Sequence, residues 1–544
     1  MFEEFMMDNN PNICGNDLQI AKDNHYAEWV RNYVNEASKE SRMESWTNVN
    51  VEWNDVPDFD PGTTDSPDVD SDSPDVVSDG EDRRERNDYN IEKKALNFVD
   101  EPQVKHNLYP ETEDDEDEEG SEKLFVDKIR EEPEYFMPMK IEELVMEKWK
   151  LSVSRPQCQH ARNKALRWIE REYDEQFGRL RDYCAEIRSS NVNSSVELDC
   201  LRNDDGIEVF NRFYVCFDIL RRTWKETFRP LIGVDDCFLK SRMKGKLLVA
   251  LGRDADNAIY PIAWAVVQVE NNNNWLWFVR KIKVDLGLDE GEGYVMVSDR
   301  QKGLIAAVKR ALSRIEHRMC VRHIYGNLKK LHGKKPEMKL KLWNLAWSYN
   351  DADYKANLKY FERYDQDVYD YVMKAKPGKW CREFYKLGTF CEDVENSSTE
   401  SFNNSIGKAR DKPFVPMFET IARLAMVRIA RRDVICSSHE GICTPYVIEM
   451  LESLHEKASK CMVQPSTNQT YESTSNDCVH RVSLENKTCS CRRWEITGIP
   501  CEHAYGVMLK KGLEAQDFVV HWFRIATWRR TYAEGIVPLR GAKF

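Results

Sequence analysis

The spacing of apolar positions changes along the chain, and this change predicts where helices give way to strands. Between residues 141 and 188, apolar side chains recur every three or four residues, which indicates one long amphipathic helix or a helical pair. This stripe consists of Leu166, Ile169, Tyr173, Phe177, Leu180, Tyr183 and Ile187. Further along, short β-type runs follow one another at 231–234, 247–251 and 259–269. We therefore predict a helical region at 136–228 and then three consecutive strands.

The next part of the chain alternates between helix and strand. A helical stripe follows Asn271–Asn274, the apolar run 294–297 ends in Ser298 and Asp299, and a second helical stripe begins at Leu304. The order β-β-β-α-β-α predicts an RNase H-like fold, an α/β (α+β) arrangement in which helices cover a mixed sheet. We place this core at 229–435. Residues from about 334 to 393 lack strand alternation and predict an all-helical insertion, and 414–432 predicts a further helix.

Charge divides the chain into an acidic head and a basic remainder. The formal net charge is −14, but residues 1–130 hold 36 acidic and 13 basic residues, a net −23, which leaves 57 acidic and 66 basic residues, a net +9. The Asp-, Ser- and Pro-rich stretch 55–82 and the nine acids of 111–122 cannot bury enough apolar surface to fold. We predict a largely disordered acidic region at 1–135, which is most simply a solvated tail. The basic remainder suits a partner that carries phosphates.

Hydropathy and cysteine spacing argue against a membrane protein and against a disulfide-stabilised one. No apolar run approaches the roughly 20 residues that span a bilayer, and the first residues do not form a signal peptide. We expect a soluble intracellular protein with no membrane partner. The 16 cysteines are mostly scattered singly, which in a reducing compartment favours metal ligands or buried thiols over disulfides.

Two aspartates stand where predicted strands end. Asp235 and Asp236 follow the first strand of the predicted core, and Asp299 follows the fourth. Cleaving or joining a phosphodiester requires divalent cations, and Mg²⁺ prefers converging carboxylates. Asp235 and Asp299 could supply two of them, and Glu400 on a later predicted helix is the best candidate for a third. Taken singly, each aspartate is more simply a turn or cap residue.

Several segments spread over the core resemble the Mutator-like element (MULE) transposases. They are Leu231–Lys240, Leu247–Asp254, Tyr260–Val267, Val297–Gly303 and Cys320–Asn327. The resemblance extends from about residue 141 to the C-terminus. It implies a DDE-type core in which Asp235, Asp299 and Glu400 are catalytic and bind magnesium or manganese for DNA strand cleavage and transfer. The family's Cys-x-x-His between the second Asp and the Glu corresponds to Cys320 and His323, which are an accessory pair or simply a buried Cys and a hydrogen-bonded His.

This chain departs from the family pattern at two places. Members usually have Gly where Asp236 stands, so the extra charge could alter metal binding or occupy a backbone position that suits Gly. Members also usually carry an N-terminal Cys/His module for the terminal repeats of the element, and no Cys/His cluster precedes Phe136 here. Both departures bear on activity and on the recognition of DNA ends.

Three cysteines and one histidine near the C-terminus form a compact ligand pattern. Cys489 and Cys491 are followed after nine residues by Cys501 and His503. Zinc binds such S₃N sets tetrahedrally, and two close pairs can close a small domain that has little core of its own. Cys478 and His480 lie nearby as alternatives, although residues 479–482 predict a strand. The pattern resembles the SWIM zinc finger, which we place at 470–515, before a C-terminal tail at 516–544.

Two functions remain open at this stage. One is a nuclear enzyme, a DDE-type transposase that binds terminal inverted repeats, cleaves and joins DNA and could act as a homo-oligomer. The other is a domesticated transposase that binds regulatory DNA as a transcriptional regulator without catalysis. Retention of the three acids favours the enzyme, whereas Asp236 and the missing N-terminal module favour the regulator. A fossil copy with neither activity is a third option.

Overall fold

The computed structural model describes residue 129 and residues 135–149, 152–203, 206, 208–240, 244–475 and 478–540. The acidic region predicted at 1–135 lies almost entirely outside these residues. Helices α1 (Pro138–Trp149) and α2 (Arg155–Ser190) open the described chain, which confirms the predicted helical pair. Ser154 caps α2 in a capping box with Gln157, and Pro156 occupies its first turn, where a proline costs no hydrogen bond.

Two strands lie inside the region that we predicted to be helical, 136–228. Strands β1 (Ser195–Arg202) and β2 (Glu208–Cys216) pair antiparallel, and helix α3 (Asp218–Thr227) follows them. The prediction of a helical region was wrong for these residues. Their outward positions are charged, Glu197, Asp199 and Arg212 among them, so the apolar residues of the two strands do not form the unbroken runs by which we recognised the other strands.

The three predicted strands are confirmed. They are β3 (Leu231–Phe238), β4 (Lys246–Arg253) and β5 (Ile259–Val267). Helix α4 (Asn272–Leu286), strand β6 (Val295–Ser298), helix α5 (Lys302–Ala311) and strand β7 (Glu316–Met319) come next. In the described part of the chain these strands build a seven-stranded mixed sheet in the order β1-β2-β5-β4-β3-β6-β7. Only the pairs β3–β6 and β6–β7 are parallel.

Helices dominate the region beyond the sheet. Helix α6 (Val321–His332) leads to α7 (Met338–Ala346), α8 (Asp351–Tyr364) and α9 (Gln366–Lys374), and these four share a separate hydrophobic core. Helices α10 (Ser397–Ser405) and α11 (Phe414–Ser438) then return to the sheet. Phe414 and Phe418 of α11 join the main core together with Phe213 of β2, so α11 covers one face of the sheet.

The C-terminal part forms a second, smaller unit. Helix α12 (Pro445–Ser459) precedes strands β8 (Met462–Pro465), β9 (Thr470–Ser475), β10 (Cys478–Ser483) and β11 (Thr488–Cys489), which form an antiparallel sheet. Helices α13 (Arg493–Thr497) and α14 (Glu502–Lys511) follow. Helix α14 packs on α12 and on the small sheet.

The segment expected to be a C-terminal tail, 516–544, instead returns to the main core. It contains helix α15 (Ile525–Tyr532), in which Trp528 and Tyr532 are buried. Both side chains donate hydrogen bonds to Oδ2 of Asp254, at 3.0 and 2.7 Å. The two aromatic residues are four positions apart and therefore share one helix face. No helix of the described chain is long and apolar enough to span a membrane.

Candidate metal centres

Asp235 and Asp299 lie side by side on neighbouring parallel strands. Gly233 of β3 is aligned with Val297 of β6, and two further residues along each strand lead to the aspartates. Neighbouring strands are about 4.8 Å apart, so the two carboxylates can approach a common ion. Asp235 does not end its strand, as we had expected, because β3 continues to Phe238 by pairing with β4.

Burial and mutual repulsion make this pair unfavourable without a cation. Asp235 is only 8% exposed, and burial, together with Asp299 and Asp236, raises its pKa to about 8. Burial also raises the pKa of Asp299. Each carboxylate is nevertheless held in place, because Thr399 Oγ1 donates to Asp235 Oδ2 at 2.9 Å and the backbone N–H of Gln301 donates to Asp299 Oδ1 at 3.1 Å.

Glu400 reaches the same edge of the sheet from helix α10. The helix packs directly on β3 because Gly233 has no side chain, and a Cβ there would lie 2.9 Å from Oδ1 of Asn396. Asn396 in turn donates from Nδ2 to the carbonyl of Val234 at 3.0 Å. The Glu400 carboxylate accepts from Arg322 Nη1 at 2.5 Å.

The three acids do not form one close set of ligands. Within the described residues, Asp235, Asp299 and Glu400 do not form a set whose oxygens all lie within 4.8 Å of one another. Glu400 forms such a set with Cys320 and His323 instead. The predicted accessory pair is therefore part of this centre.

Cys320 and His323 extend the row of strand ends. Cys320 follows β7, which is parallel to β6, and its backbone N–H donates to the carbonyl of Ser298 at 2.8 Å. His323 lies one turn into α6. Burial alone would lower the pKa of His323, but Cys320, Asp235 and Asp299 outweigh it and raise this pKa to about 10. The imidazole of His323 thus belongs to the Cys–His–Glu set and also interacts electrostatically with both aspartates.

Asp236 has an ion-pair partner of its own beside the candidate catalytic pair. Its carboxylate pairs with Lys246 Nζ at 2.6 Å, and this amine also lies 3.4 Å from Glu270. Burial and Glu270 raise the pKa of Asp236 to about 6, although Lys246 opposes the shift. The residue is not among those with positive φ, so the backbone at this position does not require Gly. Sequence reasoning missed Lys246, because a lone lysine at the start of a strand carries no signal for its partner.

The four predicted zinc ligands converge in the C-terminal unit. The donor atoms of Cys489, Cys491, Cys501 and His503 lie within 4.8 Å of one another, and all four residues are buried. His503 Nδ1 is 3.8 Å from the Sγ atoms of both Cys489 and Cys501. Ligands about 2.0–2.3 Å from a tetrahedral ion are separated by such distances. The donor set and its geometry therefore fit a zinc ion.

The two alternative ligands lie outside the convergent set. Cys478 is exposed, and the ring of His480 lies beside that of His503, with centroids 3.8 Å apart and planes tilted by 34°. Hydrogen bonds from Cys489 and Cys501 lower the pKa of Cys491, which favours a thiolate ready to bind a cation. The backbone N–H of Cys489 donates to Glu495 Oε2 at 3.1 Å, and this bond helps to fix the loop between the ligand pairs.

Two arginines next to the ligand Cys491 join the zinc module to the helical region, and sequence reasoning did not find them. Arg492 Nη1 bonds Oε2 of Glu383 at 2.8 Å, and its Nη2 donates to the carbonyl of Tyr385 at 3.1 Å. The guanidinium of Arg493 lies 5.7 Å from the centroid of the Tyr349 ring. The cysteine-rich loop is therefore docked on residues that follow α7 and α9.

Comparison with known proteins adds two matches and one negative result. Residues 231–327 match the family model described as MULE transposase domain, and residues 477–512 match the SWIM zinc finger. No curated protein matches the chain. The first match covers β3 to the first half of α6, including Asp235, Asp299, Cys320 and His323. The chain thus contains two regions, 231–327 and 477–512, that match a MULE transposase domain and a SWIM zinc finger in this order.

Proposed function

We propose that the protein is a DDE-type DNA transposase that cleaves and joins DNA strands with magnesium or manganese. In this proposal the mixed sheet is an RNase H-like core, and Asp235, Asp299 and Glu400 are its catalytic acids. The observation that carries the proposal is the placement of Asp235 on β3 and of Asp299 directly after the parallel neighbouring strand β6. Burial and the neighbouring Asp299 raise the pKa of Asp235 to about 8. Two ionised carboxylates at this place would therefore destabilise the fold, and a cation between them would offset that cost.

Each residue has a defined part in this mechanism. Magnesium or manganese, when bound, activates the attacking water or hydroxyl and neutralises the leaving oxygen. Asp235 and Asp299 supply the hard oxygen ligands, and Thr399 and the Gln301 backbone fix their orientation. Glu400 offers a third carboxylate. Arg322 already bonds its Oε2, which leaves the other oxygen for an ion.

The DNA would be held by basic residues outside the centre. Helix α8 exposes Lys355, Lys359 and Arg363 on one face, and the exposed ring of Tyr360 lies among them. These basic residues recur every four positions, about 6 Å along the axis. Such a row suits a phosphate backbone, and an aromatic ring beside it suits an unstacked base. We propose terminal inverted repeats as the target and the nucleus as the place of action.

A second function is favoured by the ion pairs of the centre. Arg322 neutralises Glu400 at 2.5 Å and also bonds Glu395 at 2.7 Å, so Glu400 has a partner without any metal. A protein that keeps this arrangement would bind DNA as a nuclear regulator and would not cut it. In both cases the SWIM finger holds a structural zinc ion.

One paired assay separates the two functions. The substitution Asp299→Asn removes one charge from the metal centre with little change of shape, so strand cleavage should fall by at least about 100-fold while DNA affinity stays the same. Asp289→Asn is the matched control, because Asp289 is exposed on the loop after α4 and its φ of 47° also suits Asn. Nicking of a terminal-repeat duplex in Mg²⁺ or Mn²⁺ is measured beside binding of the same duplex. Binding without cleavage by the parent would support the regulator.

A further inference from the structure

Three side chains of different chemistry meet beside the aspartate pair. Cys320 lies at the N-cap of α6, His323 is in the first turn of that helix, and Glu400 comes from α10. One donor atom from each lies within 4.8 Å of the other two. A thiol, an imidazole and a carboxylate are a poor set for Mg²⁺, which prefers oxygen alone, but they are typical ligands of Zn²⁺.

Local contacts hold the thiol in place and leave one ring nitrogen of the imidazole unsatisfied. The backbone N–H of Asn396 donates to Cys320 Sγ at 3.2 Å, and Cys320 is the N-cap residue of α6. Nδ1 of His323 is buried and has no hydrogen-bond partner among the described residues. Buried polar atoms are rarely left unsatisfied, so this nitrogen points to a missing partner.

We propose that Cys320, His323 and Glu400 bind a second zinc ion, separate from the zinc of the SWIM finger. Three protein ligands leave a fourth position open, as in zinc sites that bind water or substrate. The positive charge of Arg322 beside Glu400 opposes a cation, but Arg322 also pairs with Glu395, so two carboxylates already face this single charge. The open position lies on the same edge of the sheet as the two aspartates.

Zinc at this site would also interfere with DNA cleavage, an effect that rests on the proposed function. Glu400 cannot serve zinc and the proposed magnesium centre with the same oxygen while Arg322 holds the other. Zinc at this site would therefore withdraw the third catalytic acid, so zinc in excess should inhibit cleavage in magnesium. Zinc binding itself does not depend on whether the protein cleaves DNA.

Metal content tests the site without any DNA. The full chain, dialysed against buffered free zinc, should contain two zinc ions, and Cys320→Ser should contain one. Cys436→Ser is the matched control, because Cys436 is also buried but lies on α11 outside both ligand sets, and it should keep two. Cobalt substitution gives a second readout, since four cobalt–sulfur bonds fall to three in Cys320→Ser and the thiolate charge-transfer band should lose about a quarter of its intensity.

The zinc contents of the parent and of the variants decide whether the proposal stands. One zinc in the parent, or two in both the parent and Cys320→Ser, overturns the proposal. If Cys320→Ser does not fold, as judged by circular dichroism, His323→Gln replaces it, and the expectation of one zinc is unchanged. Two zinc ions in a parent that binds DNA without cutting it would support the site and contradict only the enzymatic function.

Discussion

Replacing Asp235 by Asn should stabilise the metal-free protein while it removes the magnesium response. The pKa of Asp235 is raised from an ordinary value of 3.8 to about 8, chiefly by burial and then by Asp299. A tenfold change in proton affinity corresponds to about 1.4 kcal/mol, so the ionised carboxylate costs the fold at most roughly 6 kcal/mol above pH 8. An amide at the same place still loses about 1–3 kcal/mol through burial. Above pH 8 the expected net gain in stability is therefore about 3–5 kcal/mol, and it is smaller at lower pH.

The sign of the pH dependence follows from the direction of the shift. Between pH 4 and pH 8, approximately, the folded protein keeps the proton of Asp235 and the unfolded chain has lost it, so the stability of the parent falls as pH rises. Asn cannot titrate. The advantage of Asp235→Asn over the parent should therefore grow by about 1.4 kcal/mol for each pH unit in this range. His323, with its pKa raised to about 10, adds a fall of the same sign only above its ordinary value of 6.5.

Thermal unfolding of the two proteins at about pH 5 and about pH 7 measures this difference. Buffers should be free of magnesium but must keep zinc, so that the SWIM finger stays folded. For a core of this size, 1 kcal/mol corresponds to about 2–4 °C. Asp182→Asn is the control, because Asp182 is exposed in the interior of α2. An advantage of Asp235→Asn that is the same at both pH values would refute the reasoning, and so would a magnesium-induced rise in the unfolding temperature of Asp235→Asn as large as that of the parent.

Two further predictions concern the other parts of the chain. Cys501→Ser should remove the SWIM zinc and loosen the ligand loop 489–503, because the metal joins the two ligand pairs, while the apolar core of the C-terminal unit stays packed. Zinc content and limited proteolysis check this, and a ligand loop that stays protected without metal would contradict it. Lys359→Gln should weaken DNA binding for all sequences alike and reduce the slope of log affinity against log salt by about 1. Titrations at several salt concentrations measure that slope, and an unchanged value would show that α8 does not contact the phosphates.

Local pattern was enough to predict most of the central elements. The runs at 231–234, 247–251 and 259–269 became β3, β4 and β5 because buried strands consist of nearly continuous apolar residues. The zinc ligands were equally clear, since all four lie within fifteen residues and spacing alone brings them together. The neighbouring positions of Asp235 and Asp299 followed from their place at predicted strand ends.

What the sequence did not reveal depends on contacts between distant residues. We predicted a tail where α15 lies because the partners of its buried face are remote in the sequence. Asp254, which accepts hydrogen bonds from Trp528 and Tyr532, lies more than 270 positions away. Glu400 was expected only beside the aspartates. Its bond to Arg322 depends on how α6 and α10 meet across the helical insertion, and no local pattern contains that information.

The alignment of the candidate metal ligands in one row follows from the topology of the sheet. Strands β3, β6 and β7 are parallel neighbours, and at the same edge they present Asp235, Asp299 and Cys320 in this order. A sheet that was antiparallel throughout would place successive strand ends at opposite edges. The two parallel pairs thus bring together residues far apart in the sequence, and α10 adds Glu400 only because Gly233 lets it approach β3. The composition of the centre is therefore a consequence of strand order, and any metal that binds there must match the residues this edge provides.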